Sequence, residues 1–147
     1  MSGDGLFVVG SRAYDLGSGT WRYEYALYNL DSDLSGQSFS VPVPVGVWPS
    51  NIGFHDVDYH DGDGIGSVDQ SGVDWSASLS GGALTWSCET FAQNPNGNAL
   101  RWGTLYNFRF DANATPATGS VTLGLFKTPG AVVVGIEVPG APSATSN

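Results

Sequence analysis

The sequence predicts an all-β chain folded as an antiparallel β-sandwich of about nine strands, and three observations carry that prediction. Nearly every apolar run alternates with period two, the pattern of strands with one face in a core and the other in water. Clusters that accept positive φ or start turns punctuate those runs at "GSG", "DSDLSG", "NPNGN" and "ATPATG". Charged residues make up only 13% of the chain while glycine fills 21 of its 147 positions, a composition that suits many turns and leaves little material for long charged helices. Both immunoglobulin-like and jelly-roll-like topologies fit such a series.

Taken in order, the runs open with "GLFVVGSRAYDL". In "TWRYEYALYN" the inward set is Trp21, Tyr23, Tyr25 and Leu27, with Arg22, Glu24 and Ala26 between them. In "QSFSVPVPV" it is Phe39, Val41, Val43 and Val45. Pro42 and Pro44 fall on the opposite phase, where a missing donor is tolerated at a sheet edge, so this run is expected as an edge strand. If Phe54 to His60 is extended, it alternates too. "VDWSASLS" then alternates through Val73, Trp75, Ala77 and Leu79, and Gly81–Gly82 joins it as a hairpin to Leu84, Trp86 and Cys88. "TLYNFRF" sets Tyr106, Phe108 and Phe110 inward, "SVTLGLF" does the same with Val121, Leu123 and Leu125, and "AVVVGIEV" closes the series. Residues 1–138 are read as one domain and residues 139–147, "PGAPSATSN", as a linker-like tail.

The charge balance narrows the partners. Net charge is −9 and Lys127 is the only lysine, so a nucleic-acid backbone or an anionic membrane is repelled. No segment approaches the roughly 20 apolar residues of a membrane span, and the start "MSGDGLFVVG" lacks the basic and apolar regions of a signal peptide. The expected location is secreted or cell-surface, with any signal removed. Cys88, the lone cysteine, excludes an internal disulfide and reads as a small core residue.

Several stretches carry a family resemblance: "WRYEYALYNLDSDLSGQSFSVPV", "VDWSASLSGGALTWSCET", "NPNGNALRWGTLYNFRFDAN" and "GSVTLGLFKTPG". Together these resemble exported bacterial β-sandwich proteins of the PEP-CTERM type, over about Trp21 to Gly130. The resemblance implies an extracellular, non-catalytic sandwich with no defined ligand. The C-terminal sorting helix and basic end of that type are missing here, so membrane sorting is not carried over.

One window, "GFHDVDYHDGDGIGSVDQSGVDW", gathers six aspartates and both histidines. Asp61, Asp63 and Asp69 suggest oxygen ligands for calcium, but Ile65 and Gly72 occupy the fifth and twelfth positions of an EF-hand count, where ligands are required. An extended Phe54–His60 places His55 and His60 on opposite faces, which disfavours a transition-metal site. The main expectation for this window is a solvated acidic loop, with calcium the only candidate cofactor. Nothing in the sequence buries a carboxylate or partners a nucleophile, so no enzyme activity is expected.

Five tryptophans and six tyrosines raise sugar stacking as a use. Trp21, Trp75 and Trp86 share the inward phase and are assigned to the core. Trp48 and Trp102 stand at strand ends and, with Tyr28 and Tyr59, make the candidate glycan platform. The leading expectation is a non-catalytic secreted module with a structural or interaction role, its partner a surface protein or, through self-association, a second copy. The alternative is a carbohydrate-binding module for a polysaccharide, stiffened by calcium.

Overall fold

The computed structural model describes residues 5–57, 62 and 66–142. Nine strands follow one another: β1 (Phe7–Gly17), β2 (Thr20–Asn29), β3 (Gly36–Pro42), β4 (Ser50–His55), β5 (Ser76–Ser80), β6 (Ala83–Ser87), β7 (Leu105–Ala112), β8 (Pro116–Leu125) and β9 (Ala131–Pro139). They form two antiparallel sheets, one of four strands in the order β1-β2-β7-β4 and one of five in the order β5-β6-β3-β8-β9. Among the described residues no helix is long and apolar enough to cross a membrane.

Alternation explains how the two sheets meet. Tyr23, Tyr25 and Leu27 of β2 and Tyr106, Phe108 and Phe110 of β7 are buried. They face Phe39 and Val41 of β3, Leu84 and Trp86 of β6, and Val121 and Leu123 of β8. Two tyrosines carry their polar ends through this core. The Tyr25 hydroxyl donates to the Glu137 carbonyl of the opposite sheet at 2.7 Å, and Tyr23 donates to the Ala114 carbonyl at 2.7 Å. Burial pushes the Tyr23 phenol up to about 12, so both hydroxyls stay protonated donors at neutral pH.

Some expected positions differ. The proline-bearing run is not an edge: β3 is the central strand of the five. The Val43 N–H donates to Gly82 on the β6 side, so by alternation the proline positions face β8, whose pairing with β3 already ends at Ser40–Thr122. The missing donors therefore cost no ladder bond. Val45 is 96% exposed, and Val47 is buried in its place. The edges of this sheet are β5 and β9, and β5 is exposed at all five residues. Ala77 and Leu79 thus lie outside the core, as does Val73, and only Trp75 of that run is buried.

The Gly81–Gly82 hairpin forms as expected, with both glycines at positive φ of 60° and 78°, the backbone a two-residue turn demands. Trp86 is buried, while Trp21 and Cys88 pack partly buried against the core. Burial pushes the Cys88 thiol up to about 12, which keeps it an unreactive packing group. Pro139 closes β9, and the Gly140 N–H donates to the Thr115 carbonyl.

Candidate functional site

The residues between the core positions build the outer face of the four-stranded sheet. Strand register stacks them in rows across β1, β2, β7 and β4. One row is Val8, Tyr28 and Leu105. Next come Gly10, Ala26, Asn107 and His55, and then Arg12, Glu24, Arg109 and Gly53. Tyr14, Arg22 and Asp111 form the last row. The second and third rows line a groove of about 740 Å³. Its floor is low at Gly10 and Ala26, which carry little or no side chain, and a Cβ built on Gly10 would meet nothing within 4 Å.

Glycine at 53 has a different consequence. A Cβ there would come within 2.6 Å of Arg109 Nε, so the Arg109 side chain lies across the β4 backbone and over the glycine. Arg12 is held differently, with its guanidinium 4.7 Å from the centre of the Tyr14 ring, a cation–π contact. The Tyr14 hydroxyl donates to Glu24 Oε1 at 3.0 Å. The ring therefore steadies one arginine while its oxygen steadies the carboxylate beside it.

The last row is a closed ion pair. Arg22 Nε and Nη2 reach Asp111 Oδ1 and Oδ2 at 2.7 and 3.0 Å, the fork-on-fork geometry that favours arginine. A bulge in β4 between Ser50 and Gly53 turns Asn51 to φ 49°, and its amide donates to Asp111 Oδ2 at 3.2 Å. The hydrogen bonds from Arg22 hold the Asp111 carboxyl below the usual range, against an opposing push from burial.

A depressed folded value means that the stabilisation is present above the ordinary aspartate value near 3.9 and is lost as pH falls through the lower folded value. Acid titration of the urea midpoint should therefore show a steeper fall below about pH 4 in the parent chain than in Asp111→Asn. Equal slopes would mean that the ion pair contributes nothing to folding.

The expected platform residues are divided by this geometry. Trp48, 70% exposed, donates its backbone N–H to Asn113 just past the end of β7. Trp102, 64% exposed, precedes the start of β7, where Gly103 and Asn29 are hydrogen-bonded. The strand between them places these two roughly 24 Å apart at 3.4 Å per residue. Tyr28 lies opposite Leu105, at the end of β7 that Trp102 precedes. Tyr59, Asp61 and Asp63 lie outside the described residues. Asp69 is exposed and accepts the Gly62 N–H at 2.7 Å. Among the described residues no group of three or more His, Cys, Asp or Glu side chains converges as a metal site.

The base of the acidic window is tied to the core by Asn98. Its amide nitrogen donates to Asp56 Oδ2 and, at 2.9 Å, to the Val73 carbonyl. Its amide oxygen accepts the Tyr106 hydroxyl, and its backbone carbonyl accepts Trp75 Nε1. Both ends of the window are thereby fastened at one buried residue.

Gly10, Arg12, Glu24, Gly53, Asn107 and Arg109 were not singled out by the sequence. The available signal was the outward phase of β2 and β7, which names polar residues but not which strands lie side by side.

No protein-family model matches the chain, and no curated protein matches it. Among solved structures it is similar to the GH20 exo-β-N-acetylglucosaminidase of Vibrio harveyi in complex with N-acetylglucosamine, at 13% identity and a TM-score of 0.49. An inactive mutant of the same enzyme gives 12% identity and the same TM-score. Each match covers 95% of this chain and 19% of the other, so the chain spans about a fifth of that enzyme's length.

Proposed function

We propose that the chain is a non-catalytic carbohydrate-binding module and that the outer face of the four-stranded sheet is its site. The supporting observation is the low floor at Gly10 and Ala26 beneath long polar neighbours. A pyranose ring needs a flat shelf for its C–H face and a few polar groups to orient its hydroxyls. Asn107, Glu24 and Arg109 supply the second, and Tyr28 with Trp102 supplies flat apolar surface at one end. Glycoside hydrolysis would need a carboxylic acid with a raised pKa beside a second carboxylate. Asp111 is instead held ionised by Arg22, and Glu24 stands between two arginines. The site binds and does no chemistry.

Calorimetric titration with a panel of soluble polysaccharides tests this. Gly10→Phe fills open space above an extended strand, so it should fold as the parent does and bind roughly tenfold or more weaker, a loss of about 1.4 kcal/mol. Trp102→Ala should cost a smaller loss of about 1 kcal/mol. A module that merely packs or assembles predicts a flat response to every sugar. Full affinity in Gly10→Phe would move the site off this face.

A further inference from the structure

The following rests on the reading above, that the outer face of the four-stranded sheet holds a glycan. We infer that the glycan is acidic, a polysaccharide bearing carboxylates that Arg12 and Arg109 receive.

Charge distribution carries the inference. The chain has five basic residues and fourteen acidic ones. Arg12, Arg22 and Arg109 all belong to this one face, where they meet Glu24 and Asp111 alone among the paired rows. Arg22 and Asp111 neutralise each other through two hydrogen bonds. That leaves Glu24 between Arg12 and Arg109 in a single row, one carboxylate for two guanidinium groups. Among the described residues the close ion pairs are Arg22–Asp111 and Lys127–Asp33, so neither groove arginine has its fork closed by a carboxylate. The face is a cationic island on an anionic protein.

Geometry makes that island fit for a carboxylate. Arg12 and Arg109 sit two strands apart, roughly 9.6 Å between backbones, on either side of the groove. Each side chain is braced, Arg12 on the Tyr14 ring and Arg109 over Gly53, so less freedom is lost when a fork closes on a ligand. A polymer with repeated carboxylates can engage both. The net charge of −9 does not prevent this, because exposed charges more than about 10 Å away are screened at 0.1 M salt. Contact charges then decide.

The test uses one polymer in two charge states: polygalacturonate and its fully methyl-esterified form, titrated calorimetrically into the intact chain, Arg12→Gln, Arg109→Gln and the double variant. The parent should prefer the acid form, each single variant should lose roughly fivefold of that preference, and the double variant should bind acid and ester with nearly equal affinity. Raising sodium chloride from 50 to 500 mM should erase the preference. Melting temperatures check that the variants fold, as expected for exposed side chains.

Equal binding of acid and ester by the parent would overturn the acidic preference and leave the glycan site standing. Silence toward both forms and toward every neutral polysaccharide would remove the glycan reading itself, and this inference with it. Undiminished binding of the acid form by the double variant would place the anion elsewhere and overturn the assignment. So would a concentration-dependent dimer in sedimentation that the double variant abolishes, since the face would then belong to a second copy.

Discussion

Replacing Phe108 by alanine should lower stability by about 3–5 kcal/mol and the melting temperature by roughly 6–20 °C. Phe108 is buried, and its ring centre lies 4.8 Å from that of Phe39, 5.2 Å from Trp86, 5.4 Å from Phe54 and 5.5 Å from Trp75. Phe39 and Trp86 belong to the opposing sheet, so this one ring joins both layers. Its large neighbours have little room to collapse into the space, which puts the cost at the upper end of the range for such deletions. Phe108→Leu keeps most of the volume and should cost about 1–1.5 kcal/mol. Urea denaturation followed by near-ultraviolet circular dichroism measures both. A Phe108→Ala chain that melts within a few degrees of the parent would contradict the aromatic cluster.

The second large effect is expected at Asn98. Substitution by alanine removes one partner from each of Asp56, Val73 and Tyr106, inside a region where a replacement water has little access. Three lost bonds at a buried site should cost about 2–4 kcal/mol. Asn98→Asp should be worse at neutral pH, since it sets a carboxylate against Asp56 where an amide donor stood. For that variant the folded carboxyl value is raised. Stability should therefore recover as pH falls through it, opposite in sign to the Asp111 behaviour. If Asn98→Asp matched the parent at pH 7, the amide would not be the tie between the acidic window and the core.

The fold was legible because period-two alternation is a local property. Tyr23, Tyr25 and Leu27, and likewise Tyr106, Phe108 and Phe110, announce their inward face within one strand. Strand order is not local, which is why the proline-bearing run could be placed at an edge when it is the central strand. The prolines mark an edge in hydrogen-bonding terms only, because they sit past the last β8 pair.

The site was less legible for the same reason. The bulk charge speaks against an anionic partner, yet Arg12 and Arg109 meet on one face only when β2 pairs with both β1 and β7. Exposed tryptophans could be picked out from flanking proline and glycine, but not the fact that Trp48 and Trp102 lie at opposite ends of a strand.

In β7, Tyr106, Phe108 and Phe110 point into the core while Asn107, Arg109 and Asp111 point away from it. Two messages are thus interleaved in one stretch of chain, each read at every second letter. Substitutions on the outward letters are nearly independent of those on the inward ones, because few partners are shared across the sheet. A lineage carrying this strand can rewrite its clientele one residue at a time while its architecture is inherited unchanged. Divergence of sequence among descendants would then concentrate on alternate positions, leaving a trace of old ligands in residues that the core does not need.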